Sequence, residues 1–141
     1  DTVTKSAAET KKLGEEIGRA NKFNIMCLWG NLGSGKTTFV QGFARGLGIT
    51  SRLLSPTFII VRRYQLSSDN GFLYHLDLYR MNESKDASSV GFEEMIADPD
   101  SVVVIEWPER LGTLLPEKRI DITFSVLPNG DHEIKATSTS H

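Results

Sequence analysis

The chain has 141 residues, of which 39% are hydrophobic and 24% charged, and its formal net charge is −2. This balance fits one globular domain covering residues 1–141, and the slight acidity argues against sequence-independent nucleic-acid binding, which normally needs a basic excess. No apolar run approaches the length of a membrane span, and the polar N-terminus lacks the pattern of a secretory signal. The single cysteine, Cys27, reads as a buried core thiol and fits a reducing compartment. We therefore expect a cytoplasmic protein.

The first third of the chain predicts a helix, a buried strand and a second helix. Ser6-Ala7-Ala8-Glu9 has the sequence of a capping box, and the apolar residues that follow it recur at helical spacing. Residues 25–29 form a continuous apolar run, typical of a strand buried on both faces. After a glycine-rich loop, residues 36–47 place their apolar side chains on one helical face.

The remaining sequence predicts a hairpin, two short helices and three further strands. The hairpin consists of strands at 58–66 and 72–77, because the residues between them favour a turn. In chain order, the other predicted elements are a loop or irregular helix at 81–90, a helix at 92–97, a buried strand at 102–105, a short helix from Pro108, a half-buried strand at 120–126 and a last strand at 132–137.

Residues 30–37 match the P-loop pattern G-x-x-x-x-G-K-[ST] at every fixed position. The glycines let backbone N–H groups converge on phosphate oxygens, and the following helix adds the positive end of its dipole. We expect Lys36 to contact the β- and γ-phosphates and the hydroxyl of Thr37 to ligate Mg²⁺. The residues predicted to bind a nucleoside triphosphate are Asn31, Leu32, Gly33, Ser34, Gly35, Lys36, Thr37 and Thr38.

Two carboxylates at predicted strand ends are candidates for the magnesium side of this site. P-loop hydrolases hold the metal with a carboxylate at the end of a strand near the loop. Glu106 closes the strand at 102–105, and Asp77 closes the strand at 72–76. We favour Glu106 as the metal ligand because its strand is the more apolar, whereas Asp77 could position water or the metal shell. Either could instead be a solvated strand-end carboxylate.

Two other residues near these motifs, Thr57 and Trp107, have two interpretations each. Thr57, in Ser55-Pro56-Thr57, occupies the place of a switch loop, where a threonine senses the γ-phosphate, but it fits an ordinary turn equally well. Trp107 should lie near the phosphates if Glu106 does, and an aromatic side chain there more often packs than stacks on a base. His75 is expected to be a partly buried structural histidine. The opening helix and the final turn, at 128–130, are candidates for the adenine pocket by elimination.

Together these features predict one α/β domain of the P-loop NTPase type, with a central mixed β-sheet flanked by helices on both faces. Four motifs, occurring in order, resemble the TsaE family (also called YjeE) of bacterial P-loop ATPases. They are Gly-Asn-Leu-Gly-Ser-Gly-Lys-Thr-Thr-Phe at 30–39, Ser-Pro-Thr-Phe at 55–58, His-Leu-Asp-Leu-Tyr-Arg at 75–80 and Glu-Trp-Pro-Glu at 106–109. The resemblance extends from about residue 5 to about residue 127.

The resemblance implies a weak, Mg²⁺-dependent ATPase with ATP as substrate. It would act in forming N6-threonylcarbamoyladenosine in tRNAs that read codons beginning with A. Its implied partner is the TsaD–TsaB complex, which would raise its activity and through which it would meet tRNA only indirectly. In this chain, Lys36 and the loop amides would hold phosphates, and Thr37 and Glu106 would hold Mg²⁺. Thr57 and Asp77 would be the switch and activity residues, and Trp107 would lie near the nucleotide.

Other classes of P-loop protein fit the sequence less well. A GTPase would need Asp-x-x-Gly after a strand and Asn-Lys-x-Asp for guanine, and neither pattern is present. A small-molecule kinase would need a substrate domain and usually an arginine-bearing lid, but only roughly one hundred residues follow the P-loop. A nucleotide-dependent binding module, in which hydrolysis is incidental, stays open.

Overall fold

The computed structural model describes residues 2–20, 23–30, 35–49, 61–66, 71–79, 81 and 91–138. Within these ranges, two long helices, a short one and a 3₁₀ helix connect the strands of one sheet. The strands are β1 (Thr2–Thr4), β2 (Ile25–Trp29), β3 (Val61–Gln65), β4 (Phe72–Asp77), β5 (Val102–Glu106), β6 (Ile120–Val126) and β7 (His132–Ser138). The helices are α1 (Ala7–Ala20), α2 (Lys36–Gly46), α3 (Phe92–Ala97) and the 3₁₀ helix Pro108–Leu114.

The sheet is mixed, as predicted, and its strand order is β1-β7-β6-β2-β5-β4-β3. Its inner strands β6, β2, β5 and β4 run parallel, while β7, β1 and β3 add antiparallel pairs at the two edges. β2 and β5 are continuous apolar runs because each is hydrogen-bonded on both sides and covered on both faces. Because the inner strands run parallel, their carboxyl ends meet at one edge of the sheet. There Leu28 pairs with Glu106, and Glu106 pairs with Asp77.

Hydrophobic cores cover both faces of this sheet, which confirms the predicted arrangement of helices. Alternate residues of β2 divide between them: Met26 and Leu28 pack with α2 on one face, and Cys27 packs with α3 and the 3₁₀ helix on the other. Phe39 and Phe43, both fully buried on α2, are among the largest side chains of the first core. The face that carries α2 is the one on which the predicted P-loop chemistry lies.

Helices α1 and α2 pack against each other through glycines, which the sequence patterns did not predict. Gly14 and Gly18 on α1 face α2, and Gly42 and Gly46 on α2 face α1. A Cβ atom built at Gly42 would lie 1.9 Å from the carbonyl oxygen of Lys11, far inside contact distance. The two backbones thus approach as closely as they do because none of these four positions carries a side chain.

Most predicted elements match the described structure, and the differences are local. The capping-box serine accepts a hydrogen bond from the Glu9 amide at 3.1 Å, but the Glu9 carboxylate accepts from the amide of Lys5, not from that of Ser6. The predicted short helix at Pro108 is a 3₁₀ helix with a kink at Gly112. Strand β1, only three residues long, was not predicted.

Some predictions lie outside the described residues, namely those for 21–22, 31–34, 50–60, 67–70, 80 and 82–90. The hairpin itself is confirmed, because β3 and β4 pair antiparallel from Val61 with Leu76 to Gln65 with Phe72. In the part of the chain that the structure describes, none of the helices combines the length and apolar character that a membrane crossing requires.

Candidate nucleotide-binding site

The described ends of the P-loop adopt backbone conformations that favour glycine. Gly30, directly after β2, has φ 139°, and Gly35, directly before α2, has φ 100°. Gly35 is the N-cap of α2 and supplies no side-chain cap, so the first-turn amides of this helix have no side-chain partner at that position. Asn31, Leu32, Gly33 and Ser34 lie outside the described residues, and their phosphate contacts stay predictions.

Lys36 is buried at the start of α2, with only 4% of its surface exposed. Its ammonium donates a hydrogen bond to the carbonyl oxygen of Gly30 at 2.6 Å and lies 4.6 Å from the ring centroid of Trp107. A buried charge is costly without such partners. Phosphate oxygens would offer this ammonium stronger contacts than a carbonyl and an aromatic face do.

Trp107 is held in an uncommon backbone conformation beside the lysine. Its φ is 61°, the left-handed region, which no other described non-glycine residue occupies. Its ring also contacts that of Tyr79, with centroids 5.0 Å apart. Trp107, directly after β5, thus packs on both Lys36 and Tyr79.

The predicted carboxylates lie side by side at the ends of β4 and β5, because Asp77 and Glu106 are partners in the parallel register. Glu106 is 6% exposed, and its Oε2 lies 2.6 Å from Nε2 of His75. The predicted partial burial of His75 is therefore wrong: the residue is fully buried on β4, with 2% of its surface exposed.

Asp77 has a perturbed acidity in this position. Partial burial raises the pKa of Asp77, the hydrogen bond from the Tyr79 amide opposes that rise, and the charge of Glu106 adds to it. The net direction is upward, because desolvation disfavours the ionised form. A carboxylate with a raised pKa is a better proton acceptor at neutral pH than an ordinary aspartate.

A cavity of about 290 Å³ opens at the N-terminus of α2. It brings together five residues that were predicted from the sequence and three that were not. The predicted ones are Gly35, Lys36, Thr37, Thr38 and Glu106, and the others are Ala7, Thr10 and His132. Ala7 and Thr10 come from the first turns of α1, so the opening helix proposed for the adenine by elimination reaches this cavity. His132 comes from the start of β7, and none of residues 128–130, the final turn, lines the cavity.

The three unpredicted residues carry no motif, and their place follows from long-range pairing. His132 begins β7, and a Cβ atom built at Gly35 would lie 3.5 Å from its Nδ1. Thr10 is 2% exposed and shares a 2.6 Å hydrogen bond with the hydroxyl of Thr4 on β1. The capping box predicts where α1 begins but not what this helix faces.

The donors around this cavity suit a magnesium ion that arrives with a nucleotide. The hydroxyl of Thr37 and the carboxylate of Glu106 are hard oxygen ligands, and both residues line the cavity. Among the described residues, no group of three or more histidine, cysteine, aspartate or glutamate side chains could hold a metal by itself. A cation at this place would therefore take the rest of its ligands from phosphate and water, as in other P-loop proteins.

Comparison with known proteins identifies the family. The family described as "Threonylcarbamoyl adenosine biosynthesis protein TsaE" matches residues 4–134. The chain belongs to the TsaE family. The TsaE protein of Treponema pallidum (strain Nichols) is 38% identical over 133 residues, which are 94% of this chain and 96% of that protein. The TsaE protein of Bacillus subtilis (strain 168) is 34% identical over 141 residues, 98% of this chain and 85% of that protein.

Both TsaE relatives carry the name "tRNA threonylcarbamoyladenosine biosynthesis protein TsaE". A crystal structure of Bacillus subtilis YdiB has the same fold, with a TM-score of 0.79 at 31% identity, over 99% of this chain and 84% of that one. The resemblance predicted from four motifs is thereby confirmed, as is the predicted P-loop NTPase fold. The chain is a P-loop nucleotide-binding protein.

Proposed function

We propose that this chain is a Mg²⁺-dependent ATPase that acts in the N6-threonylcarbamoyladenosine modification of tRNAs reading codons that begin with A. The observation that carries the proposal is the placement of Lys36, Thr37 and Glu106 around one cavity at the N-terminus of α2. The names of the TsaE relatives support the tRNA modification, and the lack of guanine-binding motifs supports ATP over GTP.

Each residue of the cavity has a proposed role that follows from its chemistry. Lys36 leaves the Gly30 carbonyl for the β- and γ-phosphates, and the amides of the loop and of the first turn of α2 bind phosphate oxygens. Thr37 and Glu106 hold Mg²⁺, which when bound neutralises phosphate charge. Trp107 keeps its ring beside Lys36. The part of the cavity lined by Ala7, Thr10 and His132 takes the nucleoside.

Asp77 positions the water that attacks the γ-phosphorus. Its carboxylate lies next to Glu106 in register and has a raised pKa, which suits a group that accepts a hydrogen bond from water as the water loses its proton. Attack forms the new P–O bond as the bond to the bridging oxygen breaks, the proton of the water passes to the Asp77 carboxylate, and the products are ADP and phosphate. Thr57, which lies outside the described residues, is proposed to sense the γ-phosphate.

The ATP cycle is proposed to drive an assembly instead of modifying a small substrate. By its resemblance to the family, the chain acts on the TsaD–TsaB complex as a switch that is weak alone and activated by its partners. Hydrolysis then converts the ATP-bound state of this chain into the ADP-bound state. The complex responds to this change only if its affinities for the two states differ.

The proposal is tested by threonylcarbamoyladenosine formation in a reconstituted system that lacks only this protein. Addition of the chain with ATP should restore the modification, while Glu106→Ala and Asp77→Ala should not, although both stay folded. Glu109→Ala is the matched control, because Glu109 is an exposed carboxylate close to Glu106 in the chain and should keep full activity.

If both carboxylate variants hydrolyse ATP at the wild-type rate in the presence of TsaB and TsaD, the roles proposed for Glu106 and Asp77 are wrong. Tight ATP binding without restored modification would leave only a nucleotide-binding module. A preference for GTP, or phosphate transferred to a small acceptor, would favour the GTPase or kinase alternative.

A further inference from the structure

A buried histidine contacts the proposed metal ligand from the neighbouring strand. His75 lies on β4 two residues before Asp77, and in the parallel register it pairs with Val104, two residues before Glu106. Val104 and Leu73 pack in the core on the α2 face of the sheet. Because residues two apart on a strand share a face, His75, Asp77 and Glu106 all project toward α2.

The contact between the two side chains is short and enclosed. Nε2 of His75 lies 2.6 Å from Oε2 of Glu106, and the two side chains are 3% and 7% exposed. An ionised carboxylate can only accept hydrogen bonds, so in a Glu106 that is ready to bind metal the shared hydrogen belongs to Nε2. A hydrogen bond to a charged acceptor in such an environment is stronger than one between neutral groups.

No other polar contact of the ring explains its position. Nδ1 of His75 is buried and has no hydrogen-bond partner among the described residues. A histidine placed only for packing would leave two buried nitrogens to satisfy, at a cost that an apolar side chain of similar size would avoid. An apolar side chain could fill the same space but could not make the hydrogen bond to Glu106, so this bond is what the histidine adds.

We propose that His75 is a positioning residue: its Nε2–H fixes the Glu106 carboxylate in the orientation that receives the divalent cation. This inference rests on the proposed role of Glu106 as a metal ligand. Metal-binding carboxylates are commonly held by such outer hydrogen bonds, and removing these partners typically costs about 10–100-fold in metal affinity or activity. Here the hydrogen bond occupies Oε2 and leaves Oε1 without a bond to the ring.

The test measures metal affinity apart from catalysis. The ATP-bound full chain is titrated with Mn²⁺, and free Mn²⁺ is followed by electron paramagnetic resonance. We expect His75→Leu to weaken Mn²⁺ binding by about 10–100-fold. Its affinity for ATP measured in EDTA should stay within about threefold of wild type, because Lys36 and the loop amides hold the phosphates without the metal.

Three further variants separate positioning from packing. His75→Gln keeps an N–H donor at a similar place and should recover most of the lost Mn²⁺ affinity. Val104→Ala removes buried volume from the cross-strand neighbour of His75 and should lower the melting temperature while leaving Mn²⁺ affinity unchanged. Glu106→Gln should lose Mn²⁺ binding at least as strongly as His75→Leu.

The outcomes distinguish this inference from the function on which it rests. Unchanged Mn²⁺ affinity in folded His75→Leu, or a His75→Gln variant that binds Mn²⁺ no better than His75→Leu, would overturn the positioning role. If Glu106→Gln still loses Mn²⁺ affinity in that case, the role of Glu106 as a metal ligand stands. Unchanged affinity in Glu106→Gln would overturn both. If His75→Leu does not fold, nitrogen-15 spectra of the wild-type ring decide: hydrogen on Nε2 supports the inference, and a neutral ring with hydrogen only on Nδ1 refutes it.

Discussion

Replacing Gly42 by alanine tests how closely helices α1 and α2 must approach each other. The added Cβ atom would lie 1.9 Å from the carbonyl oxygen of Lys11 and 2.7 Å from its carbonyl carbon, and real Cβ contacts essentially never fall below 3.0 Å. The atoms in the way belong to the backbone of α1, so no side-chain rotation relieves the clash. The helices must separate by about an ångström, and α2 carries Lys36 and Thr37 in its first turn.

Two opposing terms set the size of the effect. Forcing an extra carbon into a packed core costs about 1–3 kcal/mol and occasionally more. Alanine is the better helix former, which returns about 1 kcal/mol relative to glycine. Because the clash involves main-chain atoms of a second helix, we expect the upper part of the range and a net loss of about 2 kcal/mol. For a chain of this length that loss lowers the melting temperature by about 4–8 °C.

Urea unfolding followed by far-ultraviolet circular dichroism measures this loss as a fall in the midpoint at unchanged slope. Gln41→Ala is the matched control, because Gln41 is exposed and precedes Gly42 in the same helix; it should change stability by less than about 0.5 kcal/mol. A Gly42→Ala variant as stable as that control, or more stable than wild type, would refute the close approach of the two helices.

Three further predictions concern charge and ionisation. Lys36→Ala should weaken ATP binding by about 10–100-fold in calorimetry, the value of a hydrogen bond to a charged group; unchanged affinity would remove Lys36 from the phosphate site. Burial, aided by the charge of Asp121, raises the pKa of Cys27 from 9.0 to about 12. The unfolded chain therefore loses this proton first, and stability should fall between pH 9 and 12 by up to about 1.4 kcal/mol per pH unit; Cys27→Ala should lack that part of the slope in urea titrations. Partial burial raises the pKa of Asp77, so its ionised form destabilises the fold at neutral pH. Asp77→Asn should be more stable than wild type there, with the gain shrinking as the pH falls through the carboxyl range; a constant gain would contradict this cause.

Local patterns predicted those parts of the fold that are decided locally. β2 and β5 were predictable because each is an uninterrupted apolar run, as a strand covered on both faces requires. The P-loop pattern fixed the junction of β2 with α2, and Glu106 was predicted because it directly follows the more apolar strand. Its contact with the cavity then follows from the parallel register, which brings the ends of β2 and β5 together.

Features that depend on which distant segments meet were not predictable in the same way. His75 looks like any strand histidine, and only the pairing of β4 with β5 shows that it meets Glu106, 31 residues away. The sequence does not show that the glycines of α1 and α2 face each other, because this depends on how the two helices pack. β1 is too short to show an alternating pattern, so neither its pairing with β7 nor the position of His132 could be inferred.

The N-terminal segment, which has no catalytic motif, connects the side of the cavity proposed for the nucleoside to the side proposed for the phosphates. Thr4 of β1 pairs with His132 of β7 and shares a hydrogen bond with Thr10 of α1, so two unpredicted cavity residues are joined through one threonine. The backbone of α1 in turn packs directly against α2 at Gly42. A shift of α1 would thus move Thr10 relative to Lys36, because α1 supplies one wall of the cavity and α2 the other. For this reason we expect Gly42→Ala to weaken ATP binding as well as stability, even though Gly42 does not line the cavity.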